Sequence, residues 1–375
     1  MIDDKTHFLN PEAVLLTGAT GFLGTHLLYD LYSFTKAKIY CLIRANTNNG
    51  IEKLKISLSK HNHPNFIDNR IIPIIGDLEK PLLGLSKEQF HELSKEIDII
   101  YHNGALVHHI YDYQKLKSAN VFSTRELLEF ASIDKDKLLI YISTISAILE
   151  TDKDGLIIED FPSNHPYGVN GGYNQTKWVS ERLLKQASDR NIRIKVFRPA
   201  LISGHSKTGV CAPQNDHFLN FVKSCIQINC APKYPFNIDF LPVNFISEIV
   251  VKISLYKQTT QNVFNLINPK AISWEEFISI INKMGYPLTL VSIKEWQRKL
   301  LSIIDEKNAL YSLIPHYLTE SSDISSEQNY KIQNNNTIEI LKVLGLTWPF
   351  INEDLLSTYL DFLYHIGFIS PPLRK

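Results

Sequence analysis

A chain of 375 residues is too long for one small core and fits a large α/β domain plus a smaller one. Hydrophobic residues make up 44% and charged residues 21%, the balance of a soluble globular protein. Lys+Arg and Asp+Glu both total 39, so the charge favours neither nucleic acid nor an anionic membrane as a partner, and no apolar run approaches the roughly twenty residues of a membrane span.

The N-terminal Met1-Ile2-Asp3-Asp4-Lys5 is polar and acidic, unlike a signal peptide. Cys41, Cys211, Cys225 and Cys230 contain no Cys-x-x-Cys pair, and no His/Cys set has zinc spacing. A reduced, cytoplasmic compartment is the simple expectation.

The first element is the most informative. Residues 13–17 form a short apolar strand, and Gly18, Gly21 and Gly24 follow it. Then comes a helical stripe of Phe22, Leu23, Leu27 and Leu31. This is the order of a dinucleotide-binding turn: one glycine for the tight turn, one for backbone approach to a pyrophosphate, one for helix packing. The spacing is G-x-x-G-x-x-G, and the flanking strand and helix give it weight that three glycines alone lack.

Residues 38–43 read as a second strand closed by Arg44. An NAD site usually carries an acidic residue there for the ribose 2′-hydroxyl. Arg44, with Lys53 on the next helix, instead suits a 2′-phosphate, so NADPH is the expected cofactor. A solvated strand-end arginine is the plain alternative. Residues 71–75 form a third strand ending in Gly76-Asp77-Leu78, where Asp77 either accepts from an adenine amino group or caps a turn. Residues 97–101 form a fourth strand running into His102-Asn103-Gly104-Ala105, whose small residues let backbone lie against a cofactor.

His102, His108 and His109 do not make a metal site, because His108 and His109 are adjacent and cannot share a helix face. A helix over 112–131 holds Asn120, a poor helix former that is either incidental or holds water or backbone beneath the site. Residues 138–143 form a fifth strand, with Thr144 just past its carboxyl end, where ligands of doubly wound sheets bind. A glycine- and proline-containing loop over 150–172 leads into Tyr173-Asn174-Gln175-Thr176-Lys177, which opens a helix through Gln186.

The Tyr-x-x-x-Lys spacing alone selects nothing, since Tyr32/Lys36, Tyr111/Lys115 and Tyr113/Lys117 share it. Only Tyr173/Lys177 follows the fifth strand, a candidate hydroxyl and a glycine-rich loop. The chemistry suits carbonyl reduction: a phenol supplies a proton, and a neighbouring ammonium is expected to lower its pKa from about 10 and to hold a ribose. Thr144 is expected to donate a second hydrogen bond to the carbonyl oxygen.

Residues 193–197 form a sixth strand before Arg198-Pro199-Ala200-Leu201-Ile202-Ser203-Gly204, after which the regular alternation weakens. Helices are expected over 215–227, 246–256, 273–284 and 355–365, short strands near 239–244 and 262–267, and a mobile loop over 320–337.

Four stretches carry a family resemblance: LLTGATGFLGTHLL, YHNGALVHH with the downstream Asn120, YISTISA followed by GGYNQTKWVSE, and RPALISGHSKTG. With NDHFLNFVKSCIQ, FLPVNFISEIV and GFISPP they resemble the thioester reductase domains of nonribosomal peptide synthetases and carboxylic acid reductases, within the extended short-chain dehydrogenase/reductase superfamily. The resemblance implies a Rossmann-type doubly wound parallel sheet over 1–204, also receiving 236–270, and a smaller, mostly helical substrate- and carrier-binding part over 205–375. It implies NADPH-dependent reduction of an acyl or peptidyl thioester on a carrier protein's phosphopantetheine arm. Hydride attack gives a hemithioacetal that collapses to an aldehyde, which some members reduce again to an alcohol.

Carried onto this chain, the catalytic positions are Thr144, Tyr173 and Lys177. The cofactor positions are Gly18, Thr20, Gly21, Phe22, Leu23 and Gly24, Arg44 and Lys53, Asp77 and Leu78, Asn103, Gly104 and Ala105, Asn120, Tyr173 and Lys177, and Pro199, Ala200 and Ile202. Asn244 and Ala200 depart from the family's usual Asp and Gly. A fatty acyl-CoA reductase, a nucleotide-sugar epimerase or dehydratase, and a catalytically silent NADPH-binding regulator are the competing readings. Arg44 argues against the sugar enzyme, and the Thr/Tyr/Lys set against the silent regulator.

Overall fold

The computed structural model describes residues 7–45, 49–108, 110–148, 151–152, 154–166, 168–303, 307–311 and 331–373. Met1–Lys5, His109, parts of the 150–172 loop and residues 320–330 of the expected mobile loop lie outside the described residues.

Seven strands form one parallel sheet: β1 (Ala13–Thr17), β2 (Lys38–Ile43), β3 (Ile71–Ile75), β4 (Ile99–His102), β5 (Leu138–Ile142), β6 (Arg193–Pro199) and β7 (Val263–Leu266). Their order is β7-β6-β5-β4-β1-β2-β3. A parallel sheet needs helical crossovers that cover both faces, so its central strands read as unbroken apolar runs. β1, β4 and β5 are buried at every residue. The order reverses direction between β1 and β4, and the carboxyl ends there open the crevice typical of such sheets.

The helices of this part are α1 (Phe22–Phe34), α2 (Gly50–Lys60), α3 (Lys87–Glu96), α4 (Tyr113–Lys117), α5 (Ser123–Ser132) and α6 (Gly172–Ser188). α1 buries Leu23, Leu27, Leu28 and Leu31 and packs on the helix Val243–Leu255. The helix expected over 112–131 runs without a break in helical backbone from Tyr113 to Ser132, and its middle, Ser118–Phe122, is a π-helical segment that contains Asn120.

The chain divides into two compact units. One contains Met1–Ile202, Val243–Ile267 and Lys331–Thr347; the other contains Ser203–Pro242, Asn268–Tyr330 and Trp348–Lys375. The first unit is expected over 1–204 with 236–270. The structure trims that insert and adds 331–347, and the mobile loop expected over 320–337 is corrected from Lys331 onward. Lys331–Ile332 pairs in parallel with Leu156–Ile157. The buried Glu159 carboxylate then accepts from Asn336 N at 2.7 Å and Thr337 N at 3.3 Å, capping the helix Asn335–Val343.

The second unit has its own core. Helices His217–Gln227, Trp274–Lys283 and Glu353–His365 bury one stripe each around Trp274 and Trp296. Trp274 Nε1 donates to Pro232 O at 2.6 Å, which satisfies the indole inside an apolar cluster. Asp216 and Ser273 cap two of these helices through Leu219 N and Glu276 N.

Candidate active site

A cavity of about 580 Å³ opens along the carboxyl ends of the sheet within the first unit. Its floor is the turn after β1. Gly18 sits at φ +72°, and a Cβ there would lie 2.7 Å from Gly104 Cα. A Cβ on Gly24 would lie 1.9 Å from Gly18 O, so α1 meets the turn only because that position is bare. No side chain caps α1, and its first turn carries no acidic residue. The N-terminal N–H groups, with Thr20, Gly21, Phe22 and Leu23 lining the cavity, make a seat for an anion.

Beneath the turn, His102 is buried and braces two strands. Its Nδ1 lies 2.9 Å from Thr17 Oγ1, and that oxygen accepts from Gly104 N at 2.9 Å. Burial, with the positive charge of Lys177 as a smaller cause, pushes His102 down to about 3, so it stays neutral.

At one end of the cavity lie Arg44, Lys53, Asp77, Leu78 and Glu79. Lys53 Nζ donates to Arg44 O at 2.7 Å, and Arg44 Nη1 is 3.6 Å from Glu79 Oε1. Asp77 N donates to Leu83 O at 2.7 Å, and Asp77 Oδ1 accepts from Glu79 N at 3.0 Å, so a tight turn presents both acidic residues. Asn103, Gly104 and Ala105 line the middle.

At the other end lie Ile142, Ser143, Tyr173, Lys177, Pro199 and Ile202. Tyr173 and Lys177 stand one turn apart on α6. Lys177 Nζ donates to Ile142 O at 2.6 Å and sits 5.8 Å from the centre of the Tyr173 ring and 4.6 Å from that of Tyr141. Burial pushes Lys177 down to about 7, against the opposing pull of Glu181. Burial also raises the Tyr173 phenol. This corrects the expectation of a lowered tyrosine pKa: the Lys177 amine is turned onto a carbonyl, and burial sets the direction. Tyr173 therefore holds its proton near neutrality, as a donor must.

Behind this end is a fully buried ion pair. Arg198 Nη2 lies 2.6 Å from Glu181 Oε2, with both side chains at 0% exposure. Arg198 also donates to Asn265 Oδ1 at 3.3 Å and to Asp160 O at 2.7 Å, while Ser143 Oγ donates to Glu181. Glu181 and Ser143 were not among the sequence candidates. Glu181 follows Lys177 by four residues on the same helix face, a signal available in the spacing.

Four expected site residues do not line the cavity, among the described residues. Gly24 acts through helix packing instead. Asn120 clamps a neighbouring loop: its Oδ1 accepts from Leu106 N at 2.7 Å, and its Nδ2 donates to Leu106 O at 3.1 Å and Thr176 Oγ1 at 3.0 Å. Ala200 N is tied to Leu266 O at 3.2 Å. Thr144 is half-buried, its hydroxyl oxygen accepting from Ser146 N at 3.3 Å to cap a 3₁₀ turn, and Ser143 beside it lines the cavity.

The sequence model of the family described as Male sterility protein matches residues 16–250. The chain is 34% identical over 362 residues to one of the linear gramicidin synthase proteins of Brevibacillus parabrevis, covering 95% of this chain and 7% of that protein. It spans only that small fraction of this curated relative's length. The solved terminal R domain of the myxalamid PKS-NRPS biosynthetic pathway superposes with a TM-score of 0.89 at 35% identity, over 97% of this chain and 95% of that one. A thiolation-reductase di-domain from an archaeal nonribosomal peptide synthetase shares the fold, with a TM-score of 0.83 at 24% identity over 97% of this chain and 77% of that one.

Proposed function

Since the chain belongs to the Male sterility protein family and is an NAD(P)-dependent oxidoreductase of the extended short-chain dehydrogenase/reductase type, we propose that it reduces an acyl or peptidyl thioester, presented on the phosphopantetheine arm of a carrier protein, to an aldehyde. The observation that carries this reading is that Tyr173 and Lys177 line the same cavity as the glycine turn.

NADPH is the cofactor on this reading and supplies hydride from its nicotinamide when bound. The glycine turn and the first turn of α1 hold the pyrophosphate. Arg44, assisted by Lys53, takes the 2′-phosphate, and Asp77 with Leu78 takes the adenine. Tyr173 delivers its proton to the carbonyl oxygen as negative charge develops there. Lys177 holds the nicotinamide ribose. Thr144 stands just outside the cavity lining, next to Ser143; its oxygen accepts from Ser146 N, and on this reading its hydrogen is the second donor to the carbonyl oxygen. The hemithioacetal then releases the carrier's thiol.

We assign recognition of the acyl chain and carrier to the second unit. The likeness to a thiolation-reductase di-domain supports a carrier as partner. No helix among the described residues is long and apolar enough to cross a membrane, and the cytoplasm is the compartment this reading assigns.

The test is to incubate the protein with NADPH and a carrier loaded with an acyl-pantetheine thioester and to identify the products by mass. Aldehyde and free carrier thiol are expected. Faster turnover of the matching acyl-CoA would redirect the assignment to a fatty acyl-CoA reductase, and an intact thioester would contradict it.

A further inference from the structure

The end of the cavity assigned to the 2′-phosphate holds a carboxylate that a phosphate site does not need. Glu79 and Arg44 both line the cavity, 3.6 Å apart, with side chains 46% and 73% exposed. Glu79 is not a loose neighbour. Its N–H donates to Asp77 Oδ1 at 3.0 Å, Lys80 N donates to Asp77 O at 3.1 Å, and Asp77 N to Leu83 O at 2.7 Å. The turn after β3 therefore presents the carboxylate to the guanidinium at the end of β2. Lys53 is held alongside through its bond to Arg44 O.

Two cations, Arg44 and Lys53, thus share this corner with two carboxylates, of which Glu79 is the one that meets Arg44 and Asp77 the one that accepts from Glu79 N. A dianionic 2′-phosphate reaching Arg44 must displace Glu79 or sit beside it, and either costs affinity. A ribose 2′-hydroxyl meets no such opposition, because a carboxylate is a hydrogen-bond acceptor for a hydroxyl. We infer that Glu79 is a specificity-determining residue that holds down the preference of this pocket for a 2′-phosphate over a 2′-hydroxyl. This rests on the assignment of Arg44 to the 2′-phosphate. The pair is exposed, so the effect is modest: about two- to fivefold in affinity, the range of surface ion pairs.

The experiment uses the intact chain and two fragments, adenosine 2′,5′-bisphosphate and adenosine 5′-monophosphate, with binding read by calorimetry. Glu79→Gln is expected to tighten the bisphosphate two- to fivefold and to leave or slightly weaken the monophosphate, with an unchanged melting temperature. Arg44→Ala is measured in parallel. Selective loss of the bisphosphate in Arg44→Ala without a gain in Glu79→Gln overturns the role of Glu79 and leaves the phosphate assignment standing. Equal loss of both nucleotides in Arg44→Ala overturns the assignment and the role of Glu79 together. An equal gain for both nucleotides in Glu79→Gln also overturns the role, since it reports a general change in charge.

Discussion

Two arginine–carboxylate pairs stand on either side of β1 in the strand order. Arg198 and Glu181 meet at 2.6 Å with no exposed side-chain surface, and Arg44 and Glu79 meet at 3.6 Å in the open. Arg198 spends its donors on Glu181, Asn265 and the carbonyls of Ile158 and Asp160. That satisfaction is what lets two charges remain in the interior, and it ties β6, α6, β7 and the 156–160 segment together. The exposed pair is screened by water and holds little in place, so its arginine can change partner. The same chemistry serves as a brace at one end and as an adjustable recognition element at the other.

Removing one partner breaks the comparison most sharply. Arg198→Ala leaves Glu181 as an uncompensated buried charge and is expected to cost about 3–5 kcal/mol in urea unfolding. Arg44→Ala is expected to change the unfolding free energy by no more than about 0.5 kcal/mol. Similar losses in the two variants would erase the distinction.

Acid attacks the buried side next. His102 lies at about 3 in the folded protein because burial opposes its charge, against 6.5 unfolded. Between those values the unfolded chain takes up a proton that the folded chain refuses. Stability should therefore fall as pH drops from 6.5 toward about 3, by up to ~1.4 kcal/mol per pH unit from this residue. His102→Asn should flatten that slope in unfolding curves measured across the window, and an unchanged slope would locate the acid sensitivity elsewhere.

The exposed side responds in binding rather than stability. Arg44→Ala should raise the Michaelis constant for NADPH about tenfold or more, through loss of a charge-assisted contact, and leave that for NADH nearly unchanged. Equal effects on the two cofactors would remove the basis for assigning NADPH. Raising salt should weaken NADPH binding more than NADH binding, a smaller effect readable by titration.

The parts legible in the sequence were those whose constraints are local. The turn of Gly18, Gly21 and Gly24 needs only a strand before it and a helix after it, and all three lie within two dozen residues. Tyr173 and Lys177 were picked out by chain order, which a parallel sheet converts directly into position. What was missed depends on long-range pairing. Glu79 matters because β2 and β3 end side by side, and nothing near Glu79 in the chain announces Arg44. The start of the helix Asn335–Val343, up to Thr337, reads as part of a polar loop because the carboxylate that caps it, Glu159, lies far earlier in the chain. Asn120, inside the π-helical segment, spends its side chain on Leu106 and Thr176, partners 14 and 56 residues away in the chain. The tyrosine's electrostatics go the other way because spacing shows that a lysine is near but not that its amine turns onto the Ile142 carbonyl.

The most direct measurement is Tyr173→Phe, which deletes one hydroxyl and keeps the ring. It should bind NADPH with near-unchanged affinity by fluorescence titration and oxidise it with an acyl-pantetheine thioester about 10²-fold or more slowly than the parent. NADPH oxidation at the parent's rate in that variant would contradict the assignment of Tyr173 as the proton donor.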